Sequence, residues 1–261
     1  MTFTFNKYQG TGNDFIIIDN REMKFNRENN ALVAKLCDRR FGIGADGLML
    51  FQSKIGYDFE MVYYNSDGNE SSMCGNGGRC IVEFARTLGL VKSKAHFLAS
   101  DGEHEAFLNT DLISLKMNNV SKVEMNAAFS YLNTGSPHYV AFVNDVKNYK
   151  VFEEGKKIRN NERFKEKGTN VNFVEKELNE LFVRTYERGV EDETYSCGTG
   201  VTAAALVAAI KNVSTALDYC DVKTLGGNLK VKFNKQEDNS FTDIWLEGPA
   251  TFVFKGEISA E

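Results

Sequence analysis

The sequence is poor in the residues that build metal sites and disulfide frameworks. Its 261 residues include three histidines and five cysteines, and no Cys-x-x-Cys pair occurs, so we expect no bound metal. An odd number of cysteines without a secretion signal is typical of reduced thiols. No such signal is evident, because the first twenty residues lack a basic start followed by an apolar run. These absences predict a cytoplasmic protein.

Long apolar runs and basic clusters are also missing. The most apolar stretch, Val201–Ile210, is too short to span a bilayer, so we expect no membrane association. The 31 basic and 36 acidic residues are mixed along the chain. Without a cluster of Lys and Arg, we expect no nucleic-acid partner. The length allows one large domain or two smaller ones, and no low-complexity linker marks a boundary.

What the chain contains instead is an internal repeat. Three motifs recur at an offset of 123 or 124 residues: Thr11-Gly12 with Thr134-Gly135, Gly44-Ala45-Asp46 with Gly168-Thr169-Asn170, and Cys74 with Cys197. Three matches in the same order at nearly one offset favour a duplication over chance.

The repeat predicts two similar domains, 1–117 and 118–250, related by a pseudo-two-fold axis. We expect residues 251–261 to form a strand that returns to the first domain. An axis of this kind would bring Cys74 and Cys197 to opposite walls of a cleft between the domains. Because such clefts are preferred small-molecule sites, we expect a small-molecule ligand.

Local patterns predict the elements around these motifs. Stretches rich in β-branched and aromatic residues, or alternating in polarity, predict strands at residues 59–64, 112–117, 229–233, 243–246 and 251–258. Residues 29–40 have the pattern of a surface helix, and a second helix is expected after Cys74, with Gly89 as its C-cap. Val201–Ile210 is apolar on all sides, which predicts a fully buried helix.

Cys74 and Cys197 both stand in glycine-rich turns that lead into an apolar helix. A thiol just before a helix start lies near the positive end of the macrodipole, which favours the thiolate. The N–H groups of the first turn are also able to bind a carboxylate.

Two such thiols are consistent with a redox disulfide, a soft-metal site, or one nucleophile and a bystander. They are also consistent with an acid and a base on opposite faces of one carbon. The matching surroundings favour the acid and base. No signature of pyridoxal phosphate is present, so we expect no cofactor.

Eight segments carry a family resemblance: Lys7–Phe15, Asp38–Gly47, Asn65–Glu70, Cys74–Gly77, Gly135–His138, Gly168–Val171, Tyr186–Gly189 and Cys197–Gly200. With them the chain resembles diaminopimelate epimerases throughout its length. The resemblance implies cofactor-independent interconversion of LL- and meso-2,6-diaminopimelate, on the bacterial route to lysine and peptidoglycan. It also implies an α/β (α+β) fold of two similar domains, each a curved, mostly antiparallel sheet or barrel around a central helix, and a homodimer.

The resemblance implies a role for each site residue. The catalytic thiols are Cys74 and Cys197. The residues that hold the reacting carboxylate and amine are Gly75, Asn76, Gly198 and Thr199. The residues that bind the distal end of the substrate are Asn13, Asn65, Asn170, Glu187 and Arg188. His138 and Glu187 occupy positions that assist the thiols or bind the α-amine.

Structural roles are the alternative at several of these positions. His138 follows a proline in a turn, which fits a structural histidine as well as a site residue, and asparagines are common turn formers. The other cysteines, Cys37, Cys80 and Cys220, lack a glycine-rich turn, and we interpret them as small buried hydrophobes.

Two positions near the expected substrate pocket depart from the pattern of some family members. Ser136 stands where some have Asn, and Gly47 stands where some have Gln. The functional alternatives are a racemase or epimerase of proline, hydroxyproline or histidine, and a non-catalytic thiol redox or binding protein. Arg188 and three asparagines favour a substrate with a second polar end.

Overall fold

The computed structural model of the chain describes residues 2–71 and 73–259, so that the expectations for residues 1, 72, 260 and 261 lie outside the described residues. Its contacts divide the chain into two compact units, one made of Met1–Leu115 and Pro249–Glu261 and the other of Lys116–Gly248. Independent domains with the expected bounds, 1–117 and 118–250, stay a prediction. The two units are described in turn.

Residues 2–71 and 73–117 contain two helices and eight strands. They are β1 (Thr2–Gly10), β2 (Asn13–Asp19), α1 (Asn30–Cys37), β3 (Gly47–Gln52), β4 (Phe59–Asn65), β5 (Glu70–Ser71), α2 (Gly75–Thr87), β6 (Lys94–Ala99), β7 (Gly102–Leu108) and β8 (Ile113–Lys116).

As far as the structure describes it, to residue 259, the second half contains two α-helices and ten strands, with a short 3₁₀ helix at Val146–Asn148. They are β9 (Val123–Met125), β10 (Ser130–Asn133), β11 (Pro137–Phe142), α3 (Val151–Arg159), β12 (Asn170–Lys176), β13 (Leu181–Glu187), β14 (Asp192–Thr194), α4 (Gly198–Ile210), β15 (Tyr219–Thr224), β16 (Gly227–Lys235), β17 (Phe241–Gly248) and β18 (Thr251–Ser259).

In the first unit, a mixed sheet surrounds helix α2. β1 pairs antiparallel with β2 and β18, while β2 pairs parallel with β3. β4 is antiparallel to β3 and β5 but parallel to β6, and β7 joins β6 to β8 in an antiparallel meander. Helix α2 contacts β1, β2, β3 and β7, and ten of its thirteen residues are buried. It is therefore the central helix of this unit.

The second unit repeats this order of strands around helix α4. β10 and β11 form the antiparallel pair, β11 is parallel to β12, and β13 is antiparallel to β12 and β14 but parallel to β15. β15, β16 and β17 form the meander. Eleven of the thirteen residues of α4 are buried, because its sequence is apolar on every side. The predicted mixed α/β fold, mostly sheet around a central helix, is confirmed.

Helix α1 is shorter than the sequence pattern predicted. The Asn29 side chain accepts from the backbone N–H of Leu32 and so caps the first turn, and the helix ends at Cys37. The Asp38 carboxylate accepts the backbone N–H groups of Arg40 and Phe41, each at 2.7 Å. These two bonds stabilise a turn that competes with another helical turn, so the prediction of a helix to residue 40 was wrong. No helix in the described part of the chain is long and apolar enough to cross a membrane.

Candidate active site

Cys74 lies at the N-cap of α2, with an extended backbone (φ −92°, ψ 129°) and a half-buried side chain. Its Sγ is 3.5 Å from Oδ1 of Asn13, to which the thiol donates. The Asn76 amide donates to the same oxygen at 3.4 Å. The Cys74 side chain makes no hydrogen bond that caps its own helix.

The amides beside Cys74 are fixed by charged partners. Nδ2 of Asn13 donates to Oδ2 of Asp46 at 2.6 Å, and Nη2 of Arg79 donates to Oδ1 of Asn76 at 2.9 Å. An amide must turn its NH₂ to a carboxylate and its oxygen to a guanidinium, which decides both orientations. Asn13 therefore presents its oxygen to the thiol. We call Asn13, Asp46, Cys74, Asn76 and Arg79 the Cys74 group.

Arg79 is a fully buried cation below the first turn of α2. Its guanidinium donates to the carbonyl oxygens of Gly75 and Pro249 and to the hydroxyl of Thr11 at 3.3–3.4 Å. Among residues 2–71 and 73–259 it forms no ion pair with a carboxylate. Burial lowers the pKa of Arg79, and negative charge on Cys80 or Cys74 opposes that shift. Arg79 therefore favours negative charge near the start of α2.

Cys197 lies at the N-cap of α4 and is buried, again with an extended backbone (φ −115°, ψ 110°). Its Sγ is 3.5 Å from the hydroxyl of Thr199, and the Thr134 hydroxyl donates to the Thr199 carbonyl at 2.9 Å. The counterpart of Arg79, 123 residues further on, is Thr202, whose hydroxyl donates to the Gly198 carbonyl at 2.9 Å. This thiol therefore has no cation in the corresponding place.

His138 and Asn172 lie on neighbouring strands behind α4 and are both fully buried. Nδ2 of Asn172 is 3.1 Å from Nδ1 of His138, while Nε2 of His138 has no hydrogen-bond partner within the described residues. Burial, followed by the positive charge of Arg188, lowers the pKa of His138 to about 3. The imidazole is therefore neutral near pH 7. We call Thr134, His138, Asn172, Cys197 and Thr199 the Cys197 group.

Asn170 holds the loop that carries Arg188. Its Oδ1 accepts the Arg188 backbone N–H at 2.9 Å, and its Nδ2 donates to the Ser136 hydroxyl at 2.9 Å and to the Pro137 carbonyl at 3.1 Å. Arg188 is exposed, and among the described residues its guanidinium donates only to the Lys167 carbonyl, at 3.0 Å. A guanidinium without a carboxylate partner is suited to a ligand carboxylate. Nearby, the Thr194 hydroxyl donates to Glu187 at 2.9 Å.

The departure at Gly47 has a steric reason. Gly47 lies opposite Asn65, an exposed residue at the end of β4. A Cβ at position 47 would be 2.5 Å from a ring carbon of Tyr63 and 2.6 Å from the Tyr64 carbonyl oxygen. The tyrosine ring therefore occupies the space that a longer side chain would need. At the other departure, Ser136 supplies the acceptor for Asn170.

The other three cysteines are buried free thiols. Burial raises the pKa of Cys37 to about 12 and also raises the pKa of Cys80 and of Cys220. These side chains remain thiols near neutral pH, in agreement with their interpretation as small buried hydrophobes.

Sequence reasoning missed Asp46, Arg79 and Asn172 as residues that orient the site. Arg79 could have been found from the sequence, because it stands within the Cys74 motif and has no charged counterpart in the second copy of the repeat. The partners of Asp46 and Asn172 are 33–34 residues away in the chain, so no local motif connects them. No cluster of three or more metal-ligating side chains occurs among the described residues.

The family model for diaminopimelate epimerase matches residues 5–123 and 130–253. The chain belongs to the diaminopimelate epimerase family. It is 54% identical to the diaminopimelate epimerase of Flavobacterium psychrophilum over 97% of this chain and 98% of that one. It is 42% identical to the enzyme of the same name from Chlorobaculum tepidum over 96% and 99%. Membership of this family makes the chain an amino-acid epimerase, an isomerase.

The fold extends beyond the diaminopimelate epimerase family. The crystal structure of the Bacillus anthracis phenazine biosynthesis protein of the PhzF family covers 100% of both chains with a TM-score of 0.75. The sequence identity is 16%, so this likeness concerns the fold alone.

Proposed function

We propose that the chain converts LL-2,6-diaminopimelate to meso-diaminopimelate with two thiols and no cofactor. The observation that carries the proposal is the repeated placement of a cysteine at the N-cap of a central, buried helix. The names of the family relatives support the substrate. The mechanism requires both sulfurs to reach the same α-carbon in the substrate complex.

In this mechanism one thiolate removes the α-proton, and the electron pair of the broken C–H bond moves toward the carboxylate. The second cysteine, as a thiol, gives its proton to the opposite face of the carbon and is left as a thiolate. The number of protons and charges is therefore unchanged over the reaction. First-turn N–H groups of α2 and α4, at residues 75–76 and 198–199, would bind the carboxylate and stabilise its developing charge.

The side chains around the thiols would have different roles in binding the substrate and in assisting the reaction. The Asn76 side chain is bonded to Arg79 and Asn13, which holds it beside the Cys74 thiol. Arg188 would bind the distal carboxylate, supported by Asn170, which holds its backbone. Asn13, Asn65 and Glu187 would complete that end of the site, and His138 and Glu187 would assist the chemistry.

The cellular setting is proposed on the same family basis. The reaction supplies meso-diaminopimelate for lysine and peptidoglycan synthesis in the cytoplasm, and the enzyme is a homodimer. Three consecutive apolar residues of β18, Phe252, Val253 and Phe254, are 45–50% exposed, which supports an interface with a second copy. Light scattering at micromolar concentration tests the dimer.

The decisive test is the reaction in heavy water without added cofactor. With two thiols, early meso product carries deuterium at the α-carbon, while recovered LL substrate stays protiated, because different groups remove and return the proton. Proline and hydroxyproline serve as comparison substrates. Absence of meso product, or equal labelling of substrate and product from the start, contradicts the proposal.

Variants separate the thiol mechanism from a redox role. Cys74→Ala and Cys197→Ala should each lower kcat by roughly 10²–10⁴-fold, because each removes the acid or the base. Cys220→Ala is the matched control, since this thiol is buried and lies outside both groups. Activity that requires oxidation of Cys74 and Cys197 would favour the redox alternative.

A further inference from the structure

Three contacts determine which way the buried Asn172 amide faces. Its Oδ1 accepts the hydroxyl of Thr185 at 2.9 Å, and its Nδ2 donates to the Tyr139 carbonyl oxygen at 2.9 Å. Turning the amide over would bring two carbonyl oxygens together at Tyr139, so the NH₂ must stay on that side. The same NH₂ is the group that meets Nδ1 of His138.

The amide orientation decides where His138 carries its proton. An NH₂ group only donates, so Nδ1 must accept with its lone pair and cannot bear hydrogen. A neutral imidazole has one N–H group, which is therefore on Nε2. The depressed pKa of His138, about 3, agrees with a neutral ring.

The Nε2–H group is then a buried donor with no acceptor within the described residues. Leaving such a donor unpaired destabilises the folded protein, and an unpaired buried donor in a native protein calls for an explanation. Arg188 is the charged group whose field reaches the ring. A cation and an N–H donor together favour an acceptor that carries negative charge.

Asn172 also packs closely against α4, the helix that has Cys197 at its N-cap. A Cβ on Gly200, in the first turn of α4, would lie 2.3 Å from Oδ1 of Asn172 and 3.4 Å from Cβ of Cys197. The amide therefore packs directly beneath that turn and links the histidine to the thiol-bearing helix.

We propose that Asn172 is a positioning residue that holds His138 as the neutral Nε2–H tautomer, so that His138 meets the substrate as a hydrogen-bond donor. The Nε2–H group of His138 would bind a carboxylate oxygen of the substrate. It would not bind the α-ammonium group, because an ammonium group can only donate hydrogen bonds. The part concerning the substrate rests on the proposed function, whereas the tautomer does not.

Nitrogen NMR of the uniformly ¹⁵N-labelled protein tests the tautomer directly. The chain has only three histidines, so His96→Gln and His104→Gln assign the remaining ring. We expect His138 to bear its proton on Nε2 at pH 7 and to remain neutral down to about pH 4. A proton on Nδ1, or titration between pH 5 and 8, overturns the proposal.

The variant Asn172→Asp tests the consequence for catalysis. A carboxylate only accepts, so it draws the proton to Nδ1 and removes the Nε2–H donor. We expect the tautomer to change, kcat to fall by about 10²-fold, and a new ionisation to enter the pH profile of kcat. The control Asn228→Asp makes the same chemical change at an exposed position of β16 and should alter none of these. An unchanged tautomer and pH profile in a folded Asn172→Asp protein contradicts the proposal.

Substrate addition separates this proposal from the proposed function. Saturating meso-diaminopimelate should move the His138 Nε2–H proton signal downfield, as expected for a bond to a carboxylate. An upfield or absent shift in a protein that turns over diaminopimelate contradicts the selected partner. If the Nε2–H tautomer is present but the chain does not epimerise diaminopimelate, the proposed function fails and the role of Asn172 in holding the tautomer stands.

Discussion

The Cys74 and Cys197 groups occupy the same place in two units of the same strand order, yet their side chains differ in charge. The Cys74 group contains a buried guanidinium and a carboxylate that orient two amides. The Cys197 group is built from hydroxyls, an amide and a neutral imidazole. The shared backbone provides each thiol with a helix start, while the side chains determine what else surrounds it.

The largest expected difference between the groups concerns position 79 and its counterpart 202. Arg79→Met leaves the carbonyl and hydroxyl acceptors around α2 without a donor, so we expect a loss of about 3–5 kcal/mol in the free energy of unfolding. Thr202→Val removes one hydroxyl bond from α4 and should cost about 1 kcal/mol. Urea unfolding followed by circular dichroism measures both variants. Equal losses of unfolding free energy in the two variants would contradict the expected difference between the Cys74 and Cys197 groups.

Matched glycines in the two helices provide the next comparison. A Cβ at Gly200 would lie 2.3 Å from Oδ1 of Asn172, whereas a Cβ at Gly77 would meet Met49 and Phe15 at 3.3–3.5 Å. We expect Gly200→Ala to lower stability by about 1–3 kcal/mol and to lower kcat, because it displaces Asn172. Gly77→Ala should be nearly neutral, since alanine favours the helix and Met49 is flexible. Thermal unfolding and steady-state kinetics measure both, and a Gly77→Ala protein with the larger defect would contradict this comparison.

The repeat made much of the fold predictable, because its glycine turns and Cys-Gly motifs mark where elements begin. Helix α3 was not predicted, since it is short and Gly155 interrupts a mostly polar stretch. That helix instead depends on packing against β12 and β13. A Cβ at Gly155 would lie 2.3 Å from the side chain of Tyr186, so the glycine permits a close approach that only the folded chain reveals.

The parts of the candidate site also differ in whether the local sequence or only the folded chain reveals them. The place of both cysteines at the start of a helix could be predicted, because the glycines that mark it are adjacent to them in sequence. The bonds of Asn13 with Asp46 and of Asn172 with His138 could not, because they join residues that are 33–34 positions apart in the chain. Register between neighbouring strands, rather than any local pattern, places these partners together.

A smaller difference between the units should emerge in acid. Asp14 pairs with the buried Lys7 at 2.8 Å and with Arg39 at 2.7 Å, whereas its counterpart in the second unit is Pro137. Burial alone would raise the pKa of Asp14, but the hydrogen bonds from Arg39 and Lys7 outweigh it and lower the pKa from 3.8 to about 2. The stabilisation by this carboxylate is therefore present above pH 4 and is lost as the pH falls from 4 to 2.

We expect Asp14→Asn to lower the free energy of unfolding by about 1–2 kcal/mol at pH 7, after allowance for solvent screening. The variant should also flatten the loss of stability between pH 4 and 2, because the titrating group is gone. Glu124→Gln is the control, since Glu124 forms an exposed pair with Arg163 and such pairs contribute little. Urea unfolding at half-unit pH intervals measures the slope. An acid slope that is the same in Asp14→Asn and in the unmodified chain would show that the Lys7–Asp14–Arg39 contacts do not distinguish the first unit in solution.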